Sequence, residues 1–232
     1  MSSGPTVSEN PPPAIIEHEH LKFRLTYSGP VKSSGNKPKP ENKHELRLAF
    51  HEQLSVLWKV NTVLSEFSKY ESPTLQRTIS PDFKATYNEA LSDDAPPQKY
   101  PYSELLQKKH KKHGVLWHPL VTTENNLLCE LSILILRPND EKSVIQGGDI
   151  DGRMKTIFDS LCIPSNGDVL SKFSKHNGAF YTLLSDDTLI SKVAVETDEL
   201  LLQEHGSSNN DSLAQLIIEV GTRHRNDPYI SM

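Results

Sequence analysis

The run Leu127–Leu136, LLCELSILIL, constrains this chain most. It is apolar enough to be a central strand of a sheet, and Val115–Val121 just before it reads as a second strand paired with it. A polar loop, Arg137–Gln146, leads from it into Gly147–Leu161, GGDIDGRMKTIFDSL. There Met154, Ile157, Phe158 and Leu161 recur at i, i+3, i+4 and i+7, one stripe of an α-helix.

Leu21–Tyr27 alternates apolar and polar residues and reads as a strand, and Ser28–Asn42 reads as a Gly-, Pro-, Ser- and Lys-rich loop. Lys43 to about Leu64 reads as a helix with Leu46, Phe50, Leu54 and Leu57 on its periodic face. Ser72-Pro73, Ser80-Pro81 and Ala95-Pro96-Pro97 then break the pattern, leaving one short helix near Phe83–Leu91. Tyr102–His113 reads as a helix ending in KKHKKH and stopped by Gly114. Beyond Leu161, Ser165-Asn166-Gly167-Asp168 signals a turn, and strands follow at Ala179–Leu184, Leu189–Val195 and Leu213–Val220. The expectation is an α+β fold: a single domain over residues 21–222, with one mixed β-sheet and helices packed on it. An irregular insert at about 65–100 has too few apolar residues to close its own core. Residues 1–20 are expected to form a disordered tail, and the polar end from Thr222, with a tail at 223–232, to be exposed.

No run approaches the roughly 18 apolar residues of a membrane span. The N-terminus, MSSGPTVSENPPP, has neither a basic nor an apolar signal region. Cys129 and Cys162 stand far apart in apolar surroundings and read as reduced core residues. A soluble cytoplasmic protein without a membrane partner is expected. The net charge of −5 argues against nucleic-acid binding by bulk electrostatics, but it leaves room for acidic metal ligands with a local basic rim.

Asp149 and Asp151 stand at the start of the amphipathic helix, and Asp151, Lys155 and Asp159 share one edge of it. One reading is a capped helix, since Asp is favoured at an N-cap and offsets the dipole there. An EF-hand loop fails, because counting from Asp149 its glycine position is Met154 and its final glutamate position is Ser160. Asp186-Asp187, between two apolar runs, reads either as a solvated turn or as the source of a third carboxylate. If Asp187 joins Asp149 and Asp151, the set suits Mg²⁺, which needs few carboxylates alongside water and a substrate phosphate. Lys155 would then neutralise charge at the phosphate; its alternative is an i, i+4 ion pair with Asp159.

The order D-I-D-G-R-M-K-T-I-F-D-S-L, with D-D-T-L-I downstream, resembles the RusA-like Holliday junction resolvases, whose pattern is roughly D-x-D-N-x-x-K-x-x-x-D-A-L then D-D-x-x-[IV]. The resemblance covers about 55 residues, Gln146 to about Val195, and a looser agreement in strand order. It implies that Asp149, Asp151 and Asp187 are metal-binding catalytic aspartates and Lys155 the catalytic lysine, with Asp159 and Asp186 supporting them. It further implies a RusA-like fold, a homodimer, branched DNA as substrate and Mg²⁺ as cofactor, with Mn²⁺ as a substitute. Gly152 stands where that family usually has Asn, and the approach to Asp149 lacks the family's basic run.

Lys108, Lys109, Lys111 and Lys112 form the densest basic cluster and read as DNA-backbone contacts or as a solvated helix end. The scattered histidines, His118 among them, share no zinc-ligand spacing. The leading expectation is a Mg²⁺-dependent structure-selective endodeoxyribonuclease. The alternatives are an inactive scaffold of the same fold and a metal-dependent nuclease for another DNA or RNA.

Overall fold

A computed structural model describes residues 20–33, 40–69, 101–137, 150–165, 178–201 and 213–225. The tail at 1–19, most of the insert including Phe83–Leu91, Asp149, and the turn from Asn166 lie outside the described residues. The order is β1 (Lys22–Pro30), α1 (Pro40–Val60), α2 (Thr62–Lys69), α3 (Tyr102–Lys109), β2 (Lys111–Lys112), β3 (Val115–Val121) and β4 (Leu127–Arg137). Then come α4 (Ile150–Leu161), β5 (Ala179–Leu184), a 3₁₀ turn at Asp187–Leu189, β6 (Ile190–Glu199) and β7 (Leu213–His224). The α+β class stands as read.

Two mixed sheets carry the strands, where one was expected: β1-β7-β4-β6 and β2-β3-β5. The apolar β4 is interior, with antiparallel β7 on one edge and parallel β6 on the other. Both edges of β4 are therefore filled, and β3 does not pair with it. β3 instead runs parallel to β5 and antiparallel to β2. The turn between β3 and β4 is held by Asn125, whose Nδ2 donates to Leu120 O at 2.9 Å and whose Oδ1 accepts from Tyr102 Oη.

Residues alternate along the larger sheet. Leu127, Cys129, Leu131, Ile133 and Ile135 of β4 are buried, as are Leu216, Ile218 and Val220 of β7. On α1 the buried residues Asn42, Leu46, Phe50, Leu54 and Trp58 fall every fourth position, so the stripe curls around the helix and meets several elements. One core cluster joins Leu54 of α1, Ile133 of β4, Ile157 of α4 and Leu184 of β5, tying both sheets together. Removing a side chain such as Phe50 from it would cost about 3–5 kcal/mol. Both cysteines are free and buried.

Several boundaries differ from the sequence reading, among them the start of α1 at Pro40 and the end of β6 at Glu199. The first long helix breaks at Asn61, whose Oδ1 accepts from Leu64 N at 3.0 Å and caps α2. KKHKKH is a helix end only in its first half: Lys108 and Lys109 close α3, while Lys111 and Lys112 pair with Leu116 and Val115 as a hairpin. His113 (φ 52°) and Gly114 (φ 83°) both take positive φ, as a two-residue hairpin turn requires, so Gly114 serves a hairpin rather than a helix stop. Finally, β7 runs on to His224 and buries Thr222, whose Oγ1 accepts from Leu21 N at 3.2 Å; the end from Thr222 is not simply exposed.

Candidate active site

The amphipathic pattern of α4 buries Met154, Ile157 and Leu161, together with Arg153, Thr156 and Ser160. Thr156 Oγ1 donates to Lys32 O at 3.0 Å, which fixes the helix against the exit from β1. The opposite side carries Asp151 in the first turn and Lys155 one turn on, both exposed. Asp159, a further turn along, is half-buried and ion-paired with Lys43 of α1. Lys155 has no ion-pair partner among the described residues, so the alternative reading of an i, i+4 pair with Asp159 does not hold. Asp149 directly precedes α4 and lies outside the described residues.

Asp186 and Asp187 follow β5. Asp186 Oδ1 accepts from Thr188 N at 3.0 Å and Thr188 Oγ1 at 2.6 Å, capping the 3₁₀ turn, and those bonds lower its pKa. Asp187 is exposed. A parallel bridge between Cys162 and Leu184, with Ile163 N donating to Leu184 O at 3.2 Å, joins the end of α4 to the end of β5. Burial first, and then the charges of Asp187, Asp186 and Asp159, push the Cys162 thiol well above its ordinary range. These three carboxylates therefore act on the C-terminal end of α4. Asp151 stands about 16 Å from Cys162 along the axis, at the other end. Among the described residues no group of three or more His, Cys, Asp or Glu is close enough to hold a metal ion.

Arg47, which sequence reading did not single out, is buried and donates from its guanidinium to Asp159 O, and from Nε to Cys162 O at 3.4 Å. It thus satisfies carbonyls at the C-terminus of α4. Burial, opposed by the charges of Cys162 and Asp159, lowers its pKa to about 10, so it stays charged at neutral pH. Its only sequence signal is an arginine beside Leu46 on an otherwise apolar helix face.

The basic cluster divides. Lys108 pairs with Glu104 at 3.6 Å, and Lys109 pairs with the half-buried Glu124. His110 Nε2 lies 3.5 Å from the other Glu124 oxygen. Burial opposes ionisation of Glu124, but hydrogen bonds from His110 and Lys109 outweigh it and hold the carboxyl below its usual range. Lys111 and Lys112 remain on the hairpin without ion-pair partners among the described residues. No helix among the described residues is long and apolar enough to cross a membrane. Comparison of the chain with protein-family models, with curated proteins and with solved structures finds no match.

Proposed function

We propose that the protein is a divalent-metal-dependent phosphodiester hydrolase, a structure-selective endodeoxyribonuclease of RusA-like type acting on branched DNA as a homodimer. The observation that carries the reading is the solvent side of α4. Asp151 and Lys155 face outward on consecutive turns, and Lys155 is left unpaired among the described residues because Lys43 takes Asp159. A lysine held on a packed helix without a partner is available to a phosphate oxygen.

The donors fit a hard cation in kind, since Asp151 and Asp187 are exposed carboxylates. Asp149 stands two positions before Asp151. Mg²⁺ or Mn²⁺ held by Asp149 and Asp151 would supply Lewis acidity for water attack on phosphorus, and Asp187 would join them only if the end of β5 closed on the start of α4. Lys155 would orient the scissile phosphate, and Lys111 and Lys112 would meet the backbone of a DNA arm.

A second reading, a non-catalytic scaffold, is favoured by the acidic partners that occupy Lys108 and Lys109. One experiment separates the two. The chain is incubated with labelled junctions, flaps, duplexes and RNA, with and without Mg²⁺. Cleavage that needs Mg²⁺ and is lost in Asp151→Asn is the expected result. Binding without cleavage on every substrate would favour the scaffold, while cleavage of RNA or flaps alone would move the substrate and keep the chemistry.

A further inference from the structure

The larger sheet ends in β1 on one side and β6 on the other, and the two edges are finished differently. Side chains of α1 close the first. Gln53 Oε1 accepts from Thr26 N at 2.9 Å and its Nε2 donates to Thr26 O at 2.7 Å, so one amide takes the outward donor and acceptor of β1. Asn42 does the same where β1 ends, accepting from Lys32 N and donating to Pro30 O.

The β6 edge has no such cover. Every residue from Ser191 to Glu199 is exposed, on both faces of the strand. Among the described residues no side chain of another element bonds to the β6 backbone; Glu199 N, at its far end, is taken by Asp198 of the same strand. A bare edge presents a row of N–H and C=O groups on which another strand can pair.

The order of residues in β6 selects that strand. Val193 and Val195 stand beside the buried Leu131 and Ile133 of β4, yet they are 42% and 36% exposed. They carry the apolar face of the sheet past its cover. The other face bears Lys192 and Glu196, neither ion-paired among the described residues; Glu130, beside Lys192 in β4, is taken by Arg223. A two-fold axis through Ala194, normal to the sheet, lays this strand antiparallel on itself. Lys192 then meets Glu196 of the second copy, Val193 meets Val195 and Ser191 meets Thr197, each twice by symmetry. Opposite charges and β-branched pairs directly across a ladder stabilise it, whereas like charges there destabilise it. A parallel in-register partner would set Lys192 on Lys192 and Glu196 on Glu196.

We propose that β6 pairs antiparallel with β6 of a second copy of this chain about Ala194, joining two four-stranded sheets into one through an isologous interface. The pairing gives the homodimer a contact without resting on any chemistry at α4, and it serves an enzyme or a scaffold alike.

The test is sedimentation of the full-length chain between about 1 and 200 µM, without DNA or Mg²⁺, so that its outcome leaves the α4 reading untouched. The expected result is a concentration-dependent species of twice the 26.1 kDa chain mass. Lys192→Glu and Glu196→Lys, both at exposed positions, should each weaken self-association at least tenfold with circular dichroism unchanged. Mixed in equal amounts, the two variants should recover a dimer as tight as the parent's, because each carries the charge the other lacks at both contacts. A parent that stays monomeric would leave the edge to some other strand and overturn the proposal. Single variants that dimerise like the parent, or a mixture that stays monomeric, would overturn it as well.

Discussion

Asp159 is ion-paired with Lys43, 116 positions earlier in the chain, and not with Lys155 one turn back on its own helix. The choice sets what α4 presents to solvent. It ties the helix to α1 and leaves the Lys155 ammonium available.

A double-mutant cycle on Lys43 and Asp159 should therefore give a coupling of about 0.5–1 kcal/mol, in the range of partly exposed pairs. The same cycle on Lys155 and Asp159 should give a coupling near zero. Lys155→Ala should leave the melting temperature unchanged while lowering any Mg²⁺-dependent cleavage by at least about 100-fold, a loss typical of electrostatic groups at a reacting centre. Unchanged cleavage would remove Lys155 from the proposed site.

Arg47 serves the other end of α4. Arg47→Met keeps much of the volume but strips the donors from Asp159 O and Cys162 O, at a cost of about 2–4 kcal/mol for buried carbonyls left unpaired. Arg47→Lys should recover less than half of this, since one ammonium cannot reproduce the fork of the guanidinium. Urea denaturation midpoints of the three proteins measure both effects; a small loss in Arg47→Met would mean that water replaces the cap.

Asp186 and Asp187 should separate by function. Asp186→Ala removes the acceptor for Thr188 N and Oγ1 and should destabilise by about 1 kcal/mol, the usual worth of a cap. Asp187→Asn should be neutral in thermal melts and deleterious in Mg²⁺-dependent cleavage, since Asp187 is exposed. If Asp186→Ala impairs cleavage and Asp187→Asn does not, the ligand assignment moves to Asp186.

Acid should weaken the fold through His118. Its pKa falls from 6.5 to about 4 on folding. Between those values the unfolded chain takes up a proton that the folded chain refuses, so stability falls as pH falls. The contribution is complete above about pH 6.5 and declines by about 3 kcal/mol towards pH 4. Glu124, held below its usual range, acts in the same direction at still lower pH, because its pairing is lost on protonation. Melting temperatures measured from pH 7.5 to 4.5 should show a shallower slope in His118→Leu than in the parent; parallel curves would assign the acid sensitivity elsewhere.

The elements with strong periodicity are written in the order of their residues. LLCELSILIL is an interior strand because its alternate residues bury against the core and both its edges are paired, and Met154, Ile157 and Leu161 turn α4 inward. The outward side of α4 follows from the same 3.6-residue period, so Asp151 and Lys155 were legible as exposed residues. Partners distant in the chain were not. Lys43 on Asp159, Arg47 on the end of α4, and Trp58 beside His118 join residues with no local spacing rule to relate them. His118 had one faint signal, a histidine within the apolar VLWHPLV. Likewise β3 and β4, adjacent in sequence, belong to different sheets because β6 and β7 take both edges of β4. Periodicity is a property of neighbouring residues and is written in their order. Which edge or charge meets which is settled by the packing of segments far apart in the chain.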